Sequence, residues 1–298
     1  MFKYLLYKLF NQFGADTTTT TLSECIPTIV ASALLELNEG DVVRPLITNV
    51  PFPGPGVVHQ TPFIQRLVAE SDDSLSSQAL NSTGSDETSP SAATVGVHGA
   101  YVQLKEIADL GSVDNMAIVA GKLIGQSIVV RRELDLIDLF GGFTTDQGAA
   151  ASDWTPADIY DAYGSLRTNI APLPYHLVVH PLHIWMSKGI ISLFDNSTDA
   201  LQSFGPGTVG ESFSRTGFAG MVLGFNLWAD ANIPAVSSVA TGLAFSAGAL
   251  KYVAKRGLKF VVESDAPEVA DKIVGSEIWG EAMLRDLHGN AMTFDTVA

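Results

Sequence analysis

Ser112–Phe140, SVDNMAIVAGKLIGQSIVVRRELDLIDLF, is the stretch that decides how the rest of the chain is read. It contains no proline, and its pattern predicts one long helix. Ser112 suits an N-cap, and Asp114 places a carboxylate at the positive end of the helix. Apolar residues recur at Met116, Val119, Leu123, Val130, Leu134 and Ile137, close to helical spacing. Lys122, Gln126, Arg131 and Glu133 mark the other side, and Gly141-Gly142 stops the pattern. At 1.5 Å per residue the helix would be about 40 Å long, the width of a domain. That predicts a spine with other elements laid across it. Gly121 and Gly125 would permit a close backbone contact.

Upstream, residues 1–40 read as an N-terminal arm. Phe2, Leu5, Leu6, Leu9 and Phe13 fit one face of a short helix, and a second helical pattern runs from Leu22 to Leu37. The arm is read as a packing element, because a membrane-surface helix would want more basic residues. It lacks a sustained apolar core and a small-residue cleavage site, so no signal peptide is expected. Residues 41–106 change character. Pro45, Pro51, Pro53, Pro55 and Pro62 enforce extended chain. Val57–Val68 and Ala93–Lys105 are expected to pair as a hairpin around a Ser-, Thr- and Asp-rich tip. An isolated hairpin is marginal in water, so it needs a surface to lie on, and a neighbouring subunit is the natural one; the alternative is a disordered surface loop.

Downstream, Thr155 and Pro156 open a helix, and Tyr175–Val179 reads as a buried strand. His180-Pro181 begins another helix, and Phe218–Ala229 is a strand. Leu250–Glu263 is a strand, Ala266–Lys272 a short helix, and Ile273–Asp295 a final hairpin turning at His288-Gly289-Asn290. Strands and helices do not alternate strictly, so the fold class expected is α+β.

Composition narrows the function. Of 298 residues, 46% are hydrophobic and only 16% charged, against roughly 25% in ordinary soluble proteins. That thin polar coating implies surface covered by other subunits, with a large monomeric core as the competing explanation. A net charge of −15 opposes general affinity for the nucleic-acid backbone, yet suits a wall enclosing nucleic acid without adhering to it. Cys25 is the only cysteine, which excludes an intrachain disulfide and is consistent with a reducing cytoplasm. Ala231–Leu250 is free of charge, but Pro234, its glycines and its hydroxyl residues argue against a membrane span.

No catalytic, cofactor-binding or metal-binding residue is assigned, and no cofactor is expected. His176, His180 and His183 have metal-like spacing and would serve a soluble metal-binding hydrolase. Pro181 marks a strand-to-helix junction among them, so they need not share a face, and His180 can cap the helix instead. Gly205–Gly210 matches a dinucleotide-loop pattern without its strand–helix setting. Asp72, Asp73, Asp86 and Glu87 read as a solvated tip. Lys251, Lys255, Arg256 and Lys259 form the one basic cluster, suited to pairing with carboxylates of other subunits.

Several stretches carry a resemblance. LDLIDLFGGF (134–143) resembles a spine-helix exit. WTPADIYDAYGSLRTNIAPLPYHLVVHPLHIWM (154–186) resembles a helix, then a strand running into a proline-started helix. FAGMVLGFNLWADANIPA (218–235) and the run from Ala244 to Asp295 resemble the strands before the axial loop and at the C-terminus. Together they resemble the major capsid protein of a tailed bacteriophage, with the Hong Kong 97-type capsid fold also used by encapsulins. The resemblance implies an N-terminal arm (1–40), an extended hairpin loop (41–106) and a peripheral domain with the spine helix (107–142). It further implies an axial domain (143–248) and C-terminal strands returning to the periphery (249–298). The implied function is structural and not enzymatic: self-assembly as hexamers and pentamers into an icosahedral shell enclosing double-stranded DNA. The implied location is the virion, after assembly in the host cytoplasm. The implied partners are a separate scaffolding protein, a portal and a possible decoration protein, with no membrane. An encapsulin-type shell is the alternative within the fold. On this reading the apolar stripe of the spine packs under the peripheral sheet, and its polar face looks into the shell. Residues 41–102 hold no lysine, so the loop-borne lysine–asparagine crosslinks of some relatives are not expected.

Overall fold

The computed structural model describes residues 30, 41–62, 91–105, 116–150, 152–185, 189–190, 218–265 and 270–296. The helix-start residues Ser112 and Asp114, the acidic hairpin tip, Gly205–Gly210 and all of the arm except Val30 lie outside the described residues.

Two long strands organise the first sheet. β10 (Leu250–Asp265) and β11 (Ala270–Met283) pair antiparallel from Leu250↔Met283 to Asp265↔Ala270. β1 (Thr48–Pro51) adds in parallel to the start of β10, and β4 (Gly96–Lys105) adds antiparallel to β11, giving the order β1-β10-β11-β4. The second sheet is mixed and six-stranded. Its order is β5 (Asp146–Gly148), β12 (Gly289–Asp295), β9 (Val239–Ser246), β6 (Tyr175–Val179), β8 (Phe225–Ala229) and β7 (Phe218–Val222). All five residues of β6 are buried, as a continuous apolar strand covered on both faces requires. A small ladder of β2 (Val58–Thr61) and β3 (Ser91–Thr94) forms the hairpin base.

Helix α1 (Met116–Asp138) is the layer between the sheets. One core joins its Ile124, Ile128 and Leu136 to Tyr252, Ile273 and Trp279 of the four-stranded sheet and to Val178, Leu243 and Phe245 of the six-stranded one. On the far face of the six-stranded sheet, α2 (Pro156–Thr168) buries Ile159, Ala162 and Leu166 against Leu177, Phe225 and Phe294. The predicted cap of α2 is present: Asp158 N–H donates to Thr155 Oγ1, and Thr155 N–H donates to Asp158 at 2.9 Å. The short helix α3 (Pro181–Trp185) follows β6.

The spine turns a different face inward from the one its spacing suggested. Val119, Leu123, Val130 and Leu134 are 37–52% exposed, whereas Gly121, Ile124, Gly125, Arg132 and Glu133 are buried. The helix is apolar on most sides, so periodicity alone did not choose between them. Small residues chose the close approach, and Arg132 is buried because it is paired. Opposite Ile124, a Cβ added at Gly275 would overlap its Cγ2, so that contact requires glycine.

Four other expectations change. Ala93–Lys105 is two strands: only its first residues pair with the hairpin, and the rest pairs with β11. Phe218–Ala229 is also two strands, β7 and β8, reversed at Leu223-Gly224 with φ of 47° and 91°. The short helix expected at Ala266–Lys272 is already β11 by Ala270, because pairing on both sides overrides weak local helix preference. β11 and β12 are not a hairpin: each joins a different sheet, linked through a 3₁₀ turn at Asp286–His288.

The tight Ile124–Gly275 contact gives a direct check. Gly275→Ala should lower unfolding free energy by about 1–3 kcal/mol through overpacking. Chemical denaturation of the variant should show the loss, and Ile124→Ala, which removes the overlapping Cγ2, should cost less in the Gly275→Ala chain than in the wild type.

Candidate functional site

The histidines do not converge. His176, on β6, packs between Trp228 and Phe245 on the α1 side of the sheet, and its Nδ1 accepts from Trp228 Nε1 at 3.3 Å. His183 lies on the other side, edge-on to Trp154, which stacks on Phe294. Burial pushes His183 down to about 4, so it is neutral near neutral pH. His180 accepts from Leu182 N–H at 3.2 Å and thus caps α3, as its position before Pro181 suggested. His176 and His183 sit on opposite faces of one sheet and cannot share a ligand. Among the described residues, no three His, Cys, Asp or Glu are placed to hold one metal ion.

The basic cluster divides. Lys251 is fully buried, and its Nζ donates to Ser91 O at 2.5 Å and Thr61 Oγ1 at 3.0 Å. Lys255 donates to Gly56 O and sits 5.3 Å from the centre of the Phe52 ring. These two lysines therefore anchor the hairpin base of their own chain. Arg256 donates to Ser276 Oγ at 2.8 Å, and Lys259 is exposed.

A buried charge network was not legible from spacing. The Arg132 guanidinium clasps both Asp41 oxygens, at 2.5 and 2.6 Å, and reaches Glu277 at 3.3 Å. Tyr252 donates its hydroxyl to Glu277 at 3.2 Å. The neighbouring Glu133 accepts the N–H groups of Val42 and Val43 at 3.0 and 3.2 Å. Three elements therefore meet here: the incoming segment 41–43, the spine and the sheet. The available signal was the run Arg131-Arg132-Glu133 inside an apolar helix, where successive charges cannot all face water.

Three outward surfaces carry exposed apolar side chains. On the side of the four-stranded sheet away from α1, Tyr101, Val274 and Val261 form a cross-strand row, and Val97 and Tyr101 are 72% and 68% exposed. A groove of about 630 Å³ runs over Val97, Gly99, Tyr101, Gln103 and Val274. The α1 stripe is a second such surface. Ile170 and Leu173 are a third, with Ile170 held at φ 54° although it is β-branched. Burial is what catalytic chemistry would exploit, and exposed apolar area is what association exploits. None of the described helices is long and apolar enough to cross a membrane.

No protein-family model and no curated protein matches the sequence. The fold does match solved structures. The capsid of Ralstonia phage GP4 aligns at TM-score 0.61 and 12% identity over 87% of this chain and 88% of that one. The capsid of cyanophage P-SCSP1u aligns at 0.59 and 14% over 84% and 86%. A virus-like particle from Pyrococcus furiosus aligns at 0.57 and 12% over 90% and 99%. The fold of this chain is that of phage capsid proteins, reached at identities where only the fold is shared.

The charge network yields a prediction. Arg132→Met leaves buried Glu277 without a cation and Asp41 with only the partly exposed Arg44, 3.2 Å away, and should cost about 3–5 kcal/mol, read as a lowered denaturation midpoint.

Proposed function

We propose that this chain is the major capsid protein of a tailed bacteriophage, with the Hong Kong 97-type arrangement, which self-assembles as hexamers and pentamers into an icosahedral shell around double-stranded DNA. The observation that carries this is the fold likeness to phage capsids over more than four-fifths of both chains. The surfaces support it. A chain with few charges leaves the α1 stripe, the outer sheet face and the Ile170–Leu173 loop apolar and open. Copies of the same chain are the economical cover for all three. At about 25 cal/mol per Å² of apolar area, modest contacts repeated many times hold a shell firmly.

In this reading residues 143–248 meet around the symmetry axes, and residues 107–142 and 249–298 form the periphery between capsomers. The loop 41–106 reaches across a neighbouring copy. Lys251 and Lys255 then have a mechanical task, because they fix the loop base. The net charge of −15 keeps packaged DNA from adhering to the wall. A separate scaffolding protein and a portal complete assembly in the host cytoplasm. The chain performs no catalysis.

An encapsulin-type shell around protein cargo is the second reading. It is favoured by the Pyrococcus furiosus virus-like particle, of which the alignment covers 99%. Isolated particles distinguish the two: nuclease-protected DNA supports the first and a packaged protein the second.

Electron microscopy of the expressed protein should show closed shells of uniform diameter, while a variant lacking residues 69–88, which leaves β2 and β3 in place, should fold yet fail to close or persist as a shell. Uniform shells from the deletion would refute the assembly role of the loop. Denaturing gels of mature particles should show single-chain bands only, because residues 41–102 offer no lysine for a covalent ladder.

A further inference from the structure

Side chains alternate along a strand, so Lys251 and Val253 of β10 share one face, while Tyr252 between them enters the core beneath α1. The hairpin base lies on the Lys251 face. Its apolar contact with the sheet is small: Ala93, Val95 and Val253 are buried there, with Val50, Phe52 and Ile278 at the margin. β3 crosses β11 closely at one point, where a Cβ added to Gly280 would overlap Thr94 O. A strand held at one point can swing about it. A second attachment sits three residues back along β3, about 10 Å away at strand spacing. There Thr61 and Ser91 are cross-strand partners, and the Lys251 ammonium donates to both, at 3.0 Å to Thr61 Oγ1 and 2.5 Å to Ser91 O. Ser91 Oγ also donates to Met283 O at 2.5 Å, but that bond holds β3 alone. Lys251 ties both strands of the rung to the sheet.

For stability alone an ammonium is a poor choice here. Lys251 is fully buried, and no carboxylate lies within ion-pair distance of it among the described residues. Its acceptors, with His59 O the third at 3.5 Å, are all neutral. Burial accordingly pulls Lys251 below the ordinary lysine range. A methionine is nearly as long and would fill the same space without desolvating a charge. What methionine lacks is a donor that can grip two strands at once.

We propose that Lys251 is a positioning residue, which fixes the angle at which the hairpin leaves the four-stranded sheet and thereby holds assembled shells to one size. The effect on shells rests on the capsid reading, whereas the angle belongs to the single subunit.

The test uses the full chain with Cys25→Ser and spin labels at Gln60→Cys on β2 and Lys259→Cys on β10, both exposed positions. Pulsed dipolar spectroscopy should give one narrow distance when Lys251 is kept and a several-fold broader distribution in Lys251→Met. The denaturation midpoint should move little, because half-buried Thr61 and Ser91 are wetted once the hairpin swings. Electron microscopy should show one shell diameter for the unaltered chain and mixed diameters for Lys251→Met. An equally narrow distance in Lys251→Met overturns the proposal, as does a broad one in both proteins. A lowered midpoint with the distance unchanged would leave Lys251 a stabilising residue only. Broadened distances with uniform shells would sever shell size from the angle. If the unaltered chain forms no shells, the capsid reading fails, and the distances still decide the role of Lys251. Should Lys251→Met not fold, Thr61→Val removes the side-chain tie to β2 and should broaden the distance to a lesser degree, and no broadening there overturns the proposal.

Discussion

The clasp of Arg132 on Asp41 and Glu277 is the constraint on which the rest of the structure depends. A buried guanidinium tolerates loss of water only when its donors are met, and these acceptors come from two elements far apart in sequence. Satisfying one side chain therefore fixes three things together: where the chain enters, how the spine is rotated and where β11 lies across it. Tyr252 closes the arrangement, with its hydroxyl on Glu277 and its ring beneath Arg44 and Arg132. Such a network specifies an arrangement more than it adds stability over an apolar core of the same shape.

The rotation has a consequence for the surface. With Arg132 and Glu133 inside, Val119, Leu123, Val130 and Leu134 must face out. An isolated protein gains nothing from that exchange, whereas a shell subunit gains a contact strip. The outer sheet face and the pinned loop at Ile170 follow the same pattern. Tyr175 donates its hydroxyl to Ala171 O at 2.9 Å and Ser246 donates to Pro172 O at 2.7 Å, so that loop presents its apolar side chains already ordered. Ordering before contact reduces the entropy lost on association.

Much of the frame was legible in the sequence. The α1 region, the capped α2 and the buried strand at Tyr175–Val179 follow from proline, capping and hydrophobic-run signals that act within a few residues. The His180 cap is equally local. What was not legible depends on partners distant in sequence. Which side of α1 is buried depends on Gly275, about 150 residues away, and on Glu277. The assignment of Ala270–Met283 to a long strand depends on neighbours at both edges. The roles of Lys251 and Lys255 depend on where the hairpin base lies, which their clustered spacing does not encode.

The central claim is that the exposed apolar faces are covered by copies of the same chain. Hydroxyl-radical footprinting of free subunits and assembled particles tests it most directly, through the labelling of Tyr101, Leu123 and Ile170. The account predicts labelling several-fold lower at these residues in particles, with little change at residues already buried in the subunit. Equal labelling in the two states would contradict it.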